Sequence, residues 1–203
     1  MPKAWVKERH RDYYYRKAKE EQYRSRAAYK LLQAVKKYAF IKSGDVVVDL
    51  GAAPGGWTQA ARELAGNDGF VLGIDINRIK PISMSNIQTI VGDVSDPQIV
   101  EQIIKLLPRP ADAVISDVSP NISGIWELDH ARQIDLARKS LQIATSILKP
   151  KGSFFVKVFQ GDMLNDFAKE VKQNFGSVRI VKPPASRKKS SELYILGIQL
   201  KKK

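Results

Sequence analysis

Val46-Val47-Val48-Asp49-Leu50-Gly51-Ala52-Ala53-Pro54-Gly55-Gly56-Trp57 is the stretch that decides the fold of this chain. Three consecutive β-branched residues read as a buried strand, ended by an acidic residue and a glycine. A turn of Gly, Ala and Pro then feeds Trp57-Thr58-Gln59-Ala60-Ala61-Arg62-Glu63-Leu64-Ala65, a helical stretch that stops at Gly66. Strand, glycine turn and helix make the first βα unit of a nucleotide-type α/β fold, where glycines let the backbone approach a ligand and the helix N-terminus faces it. The turn departs from the dinucleotide fingerprint G-x-G-x-x-G. Its third position is Ala53, and Pro54 follows. Proline fixes φ and lacks an N–H, so this loop suits a pyrophosphate poorly. A ligand with a carboxylate and a ribose but no phosphates fits better.

The alternation of strand and helix signals continues along the chain. Apolar runs predict strands at 46–49, 70–76, 87–91, 113–116, 153–159, 178–182 and 193–199. Helical periodicity predicts helices at 57–65, 97–107, about 127–148 and 163–175. A further helix over 25–37 carries Ala28, Leu31, Leu32 and Val35 on one stripe. Strands alternating with helices imply an α/β fold, a mostly parallel sheet covered on both faces. The last two strands have only Pro183-Pro184 and a short basic loop between them. Without a crossover helix they must pair antiparallel at the sheet edge, giving seven strands with the last reversed.

Composition narrows the partners. The chain has 203 residues, no Cys, and two histidines, His10 and His130. One domain with a full core follows, while disulfides and cysteine or histidine metal centres do not. No apolar run reaches the roughly 18 residues of a membrane span, and the N-terminus is charged. A cytoplasmic protein without membrane contact is expected, acting as a monomer. The net charge of +13 sits in the two ends. Residues 1–30 hold ten Lys/Arg against four Asp/Glu, and residues 177–203 hold eight against Glu192 alone; the stretch between is neutral. Tyr13, Tyr14, Tyr15, Tyr23 and Tyr29 lie in the first thirty residues. Basic and aromatic side chains together suit RNA, by phosphate pairing and base stacking. Residues 1–22 read as a basic, aromatic extension and 23–203 as a single catalytic domain.

Ligands of such sheets bind beyond the carboxyl ends of the strands. Asp49, Asp75, Asp93 and Asp117 close successive predicted strands. Asp75 lies 24 positions after Gly51, where an acid accepts hydrogen bonds from ribose hydroxyls, and Asp93 could accept from an adenine amino group. A ribose, an adenine and a phosphate-free turn together point to S-adenosylmethionine. Trp57 either walls that pocket or belongs to the core. Further along, Ser116-Asp117-Val118-Ser119-Pro120-Asn121-Ile122-Ser123-Gly124 leads from the fourth strand into a long helix. Lys157 sits inside the apolar strand Phe154-Phe155-Val156-Lys157-Val158-Phe159. Buried lysine is rare without a partner, and the neighbouring fourth strand supplies Asp117.

From about Tyr23 to Leu200 the chain resembles the FtsJ-type (RrmJ-like) family of RNA ribose 2′-O-methyltransferases. The resemblance rests on five stretches in order: 25–31, 49–57, 116–124, 157–161 and 187–194. It implies a Rossmann-like, S-adenosylmethionine-dependent methyltransferase fold. The family's Lys-Asp-Lys-Glu tetrad falls on Lys30, Asp117, Lys157 and Glu192. Its cofactor-binding positions fall on Gly51, Ala53, Pro54, Gly55, Trp57, Asp75, Asp93 and Asp117, with no metal. The implied substrate is a uridine of 23S (large-subunit) ribosomal RNA, with a tRNA anticodon loop as the alternative. The Tyr- and Lys/Arg-rich extension departs from the family pattern, and no appended RNA-binding domain is expected. Lys157 is the candidate base for the 2′-OH, with Lys30 as a second ammonium to lower its pKa. Asp117 would orient Lys157, and Glu192 would hold Lys30 or the ribose. A charged Lys157 that only steers the hydroxyl is the competing role. Among other classes, a non-catalytic ribosome-assembly factor has no need of a lysine within a central strand. Pro54 argues against an NAD-dependent oxidoreductase.

Overall fold

The computed structural model describes residues 12–201. Its centre is a seven-stranded sheet in the order β3-β2-β1-β4-β5-β7-β6. The strands are β1 Val46–Leu50, β2 Phe70–Asp75, β3 Ile87–Val91, β4 Ala111–Ser116, β5 Leu148–Phe159, β6 Phe175–Val181 and β7 Glu192–Leu200. β1 to β5 pair parallel, while β7 lies antiparallel between β5 and β6. The strand order reverses between β1 and β4, which opens a crevice at their carboxyl ends.

Helices cover both faces. On one, α4 Ile99–Leu106, α5 Trp126–Ile147 and α6 Leu164–Asn174 bury Ile103, Ile134 and Phe167 against Val48, Val114, Phe154 and Val156. On the other, α2 Ala28–Tyr38 and α3 Gly56–Ala65 bury Leu31, Trp57 and Ala60 against Val47, Ala113, Ile115 and Phe155. Side chains alternate faces along a strand. Ile115 therefore places Asp117, just beyond β4, on the α2/α3 side, and Phe155 does the same for Lys157. Tyr194 pairs with Lys157 and Glu192 with Phe159 across β5 and β7, so both are carried to that face too. Strand parity and register thus bring Asp117, Lys157 and Glu192 to one face, and α2 brings Lys30 to Glu192 there.

One helix lies where none is expected. Tyr13–Glu20 forms α1, begun by Asp12, whose Oδ1 accepts from the Tyr15 N–H at 3.1 Å, with Lys17 and Lys19 in its last turn. Its Ala18 is buried with Tyr29 and Ala185, and Tyr14, Tyr23 and Leu32 pack around them. The ring centroids of Tyr14 and Tyr23 lie 5.4 and 5.5 Å from that of Tyr29. The Tyr29 hydroxyl donates to Glu21, and that of Tyr23 donates to Glu63. These three rings are packing residues, not a free stacking platform; Tyr13, by contrast, is well exposed. Among the described residues no helix is long and apolar enough to cross a membrane.

Candidate active site

A cleft of about 420 Å³ opens at the carboxyl ends of β1, β2, β3 and β4, lined among others by Gly51, Ala53, Asp75, Asp93, Asp117 and Asn121. That volume lies within the ~300–1,000 Å³ of small-molecule sites. Gly51 has φ +77°, and a Cβ there would come within 2.8 Å of the Val118 backbone nitrogen. Only glycine lets the two loops approach this closely. Asp75 Oδ2 accepts from the Ala53 N–H at 3.0 Å and Oδ1 from the Asn77 N–H at 2.8 Å. The Asn77 side-chain amide also donates to Oδ1, at 3.1 Å; a carboxylate has about four acceptor sites, so one remains for a ligand hydroxyl. Asp93 Oδ1 accepts from the Ser95 N–H at 2.8 Å, which fixes the carboxylate at the rim.

Three of the expected cofactor positions lie outside this lining. Trp57 is buried; its indole N–H donates to the Ala27 carbonyl at 2.7 Å and its ring stacks 5.7 Å from Phe155. It pins α3 to α2 and the sheet. Gly55, at φ +111°, precedes α3, and the Pro54 carbonyl accepts from Arg24 at 3.2 Å. Both shape the turn from behind. Asp49, the fourth strand-end acid, is fully buried within β1, with Thr58 Oγ1 donating to its Oδ2 at 2.7 Å.

Beside the cleft stand two ion pairs. Lys157 Nζ donates to the Asp117 carbonyl at 2.7 Å and lies 3.4 Å from Asp117 Oδ1. Lys30 Nζ meets Glu192 Oε1 at 2.6 Å. Tyr194, which the sequence reading gave no role, joins them. Its hydroxyl lies 3.1 Å from Asp117 Oδ1 and 3.0 Å from Glu192 Oε1, offering one proton to two carboxylates. Burial, and then the charges of Asp117 and Glu192, push that phenol well above its ordinary pKa, so it stays a neutral donor. Burial works to raise the Glu192 carboxyl, but Lys30, with Lys157 and Tyr194, holds it below the usual range. Of the two partners expected for Glu192, Lys30 or the ribose, it is Lys30 that it meets, so the charge of Lys30 is paired there.

Gln133 of α5 also escaped the sequence reading. Its Nε2 donates to the Val118 carbonyl at 3.1 Å and the Lys157 carbonyl at 3.0 Å, clamping the β4 loop to β5. Beyond Asn121 the rim turns apolar, with Ile122, Ile125 and Trp126 exposed and Trp126 stacked on Phe159. Among the described residues no cluster of His, Asp or Glu could hold a metal.

The sequence profile of the FtsJ-like methyltransferases matches residues 23–200, close to nine-tenths of the chain. The chain belongs to the FtsJ-like methyltransferase family. A relative from Methanothrix thermoacetophila, named ribosomal RNA large subunit methyltransferase E, is 57% identical over 94% of this chain and 73% of its own length. A Methanobrevibacter smithii protein of the same name is 48% identical over 100% of this chain and 97% of its own. A solved Plasmodium falciparum structure, assigned as a ribosomal RNA methyltransferase, superposes with a TM-score of 0.80 at 27% identity. It covers 89% of this chain and 100% of that one. Asp117 belongs both to the cleft lining and to the paired charges beside it.

Proposed function

We propose that this protein transfers a methyl group from S-adenosylmethionine to a ribose 2′-OH of large-subunit ribosomal RNA. The observation that carries this reading is the Lys157–Asp117 and Lys30–Glu192 pairing, joined through Tyr194, at the edge of a cleft whose acceptors suit a nucleoside. A binding-only module gains nothing from a lysine 6% exposed in a central strand. The names of the relatives support ribosomal RNA as substrate.

The cleft fits the donor. Gly51, Asp75 and Asp93 all line it; Asp75 is assigned to a ribose hydroxyl and Asp93 to the adenine amino group. When bound, S-adenosylmethionine supplies a methyl on a sulfonium, already a good leaving group. The chain's own task is to position and deprotonate a weak nucleophile. Asp117 receives one N–H of Lys157 on its carbonyl and holds Oδ1 beside the same nitrogen. That contact fixes where the lysine's remaining valence points. A neutral Lys157 offers the hydroxyl a lone pair; a charged one offers it an N–H. We assign the neutral, basic role to Lys157. Glu192 holds Lys30, with the Tyr194 ring beneath the same ammonium, and Lys30 is assigned to the ribose. The exposed Ile122, Ile125 and Trp126 rim offers a surface for an unpaired base.

Incubating the protein with labelled donor and large ribosomal subunits from a strain deleted for its gene should label large-subunit RNA at a 2′-oxygen. Labelling of tRNA instead, or of neither, would overturn this reading. Asp75→Ala should weaken donor binding by about 10- to 150-fold, the loss of a charged acceptor worth on the order of 1.5–3 kcal/mol. Unchanged affinity by calorimetry would remove Asp75 from the site.

The basic ends are assigned to the RNA backbone. Arg16, Lys188 and Lys189 are exposed. Replacing all three with Gln should flatten the salt dependence of RNA binding by about 0.7–0.9 per lost phosphate contact. Donor affinity should not move. An identical slope would take these side chains out of the RNA interface.

A further inference from the structure

Between the donor cleft and the tetrad, the rim carries an aromatic stack that neither uses. Trp126, the first residue of α5, is 44% exposed. Its indole lies close to parallel with two other rings, at 17° to His130 with centroids 6.1 Å apart and at 25° to Phe159 with centroids 6.0 Å apart. Both supports are fixed. His130 is buried, and its Nε2 accepts from the Met163 N–H at 3.2 Å. Gly161 leaves room for it, since a Cβ there would meet the imidazole at 2.7 Å. Phe159 ends β5 and pairs with Glu192 of β7, two residues beyond Lys157. An indole held by ordered rings, with much of its surface in water, receives a flat partner at little cost in side-chain entropy.

The surroundings say which partner. Ile122, Ile125 and Leu128 are exposed near it in the chain. From Pro120 to Ala131 there is no Lys or Arg. Of the two acids in that stretch, Asp129 is buried and taken up by Ser123 and Gly124, which leaves Glu127. In a chain of net charge +13, this rim offers nothing to a phosphate and a flat apolar surface to a base. Its two ends fix its address: Asn121 lines the donor cleft, and Phe159 pairs with Glu192 of the tetrad. Tyr13 and Trp126 are the exposed aromatic rings among the described residues, and Tyr13 belongs to α1.

We propose that Trp126 is the stacking platform for the base of the methylated nucleotide itself, backed by Phe159 and His130. This rests on the RNA-methyltransferase reading above and adds how that nucleotide is gripped. A 2′-oxygen brought in line with the donor sulfonium needs its ribose turned out of the strand, so its base leaves its neighbours. The indole returns the stacking that is lost. Every base presents a π-face, so the platform holds the nucleotide without choosing among the four bases.

The test uses the full chain and a single-stranded RNA fragment spanning the 2′-oxygen that the wild type labels, with RNA binding read by titration and donor affinity by calorimetry. Trp126→Ala should weaken RNA binding about 5- to 150-fold and leave donor affinity where it was. Trp126→Phe, which keeps a ring, should recover most of the loss. An RNA whose target nucleotide lacks only its base, with ribose and 2′-OH retained, should bind the wild type more weakly by the same factor. On that RNA Trp126→Ala should cost nothing more. Exchanging the base for another should cost less than about 3-fold. Wild-type protein that binds the abasic RNA as tightly as the intact one would overturn the platform whatever the variants do. So would a Trp126→Ala loss that persists undiminished on the abasic RNA, because it would seat another group, a neighbouring base or a protein partner, on the indole. Wild-type protein that labels no RNA would instead sink the methyltransferase reading.

Discussion

Lys157→Arg is expected to bind donor and RNA nearly as the wild type does, yet to lose at least ~10²-fold in single-turnover methyl transfer. Arginine keeps the positive charge and can still reach the Asp117 carbonyl. It does not give up a proton near neutral pH. The substitution therefore separates the two roles of Lys157. If the lysine accepts the 2′-OH proton, charge alone does not replace it. If it only directs the hydroxyl through an N–H, arginine should preserve much of the rate. Arginine is also bulkier, and Lys157 sits in a packed place, so the wild-type pH profile gives the second reading. A base must be neutral to act, and an ordinary lysine near pKa ~10.4 is neutral about once in 2,500 molecules at pH 7. The wild-type rate should climb with pH until the amine is mostly neutral. A fully active Lys157→Arg enzyme with a flat pH profile would rule out the base. The geometry sharpens the question, because Lys30 is paired with Glu192 at 2.6 Å and does not act as an unmatched second ammonium.

How far the sequence carried can be read off particular residues. β3, at Ile87–Val91, matches its predicted span because a β-branched run is bounded by turn residues. β5 starts at Leu148, five residues before its predicted start. Lys149, Pro150, Lys151 and Gly152 hide the strand signal, and that end pairs with β4 across an irregularity between Ala111 and Ala113. α1 was missed because eight mostly polar residues bury a single alanine; its partners, Tyr29 and Ala185, are remote in the chain. Trp57 was decipherable from its helix. Ala60 and Ala61 follow at i+3 and i+4 and face the core, and the indole goes with them. Tyr194 was decipherable too, being two residues from Glu192 on the same strand face. Glu192 was expected to hold Lys30 or the ribose; that it meets Lys30 at 2.6 Å depends on β7 inserting between β5 and β6, which no local pattern encodes.

Asp49→Asn is expected to stabilise the protein at alkaline pH and to leave it little changed in mild acid. Asp49 is fully buried in β1, and its Oδ1 has no hydrogen-bond partner. Burial pushes its carboxyl up to about 7; the Thr58 hydrogen bond works against the rise, and the nearby charges of Asp117 and Asp75 add to it. An acid whose folded pKa exceeds its unfolded value contributes its stability in full below the unfolded value, about 3.9. That contribution is lost as pH rises through the folded value. Between about pH 4 and 7 the wild type should therefore lose about 4 kcal/mol from this one group. Asparagine accepts from Thr58 equally well, supplies N–H donors where the protonated acid has its O–H, and never ionises. Urea midpoints should nearly coincide for the two proteins near pH 4. At pH 8.5 the variant should lead by roughly 2–4 kcal/mol. Groups remote from β1 are shared by both proteins, so the difference between them reads Asp49 together with its coupling to Asp117 and Asp75. Parallel loss of stability in the two would mean that the carboxylate ionises inside β1 at no cost, and that the strand end is wetter than its packing indicates.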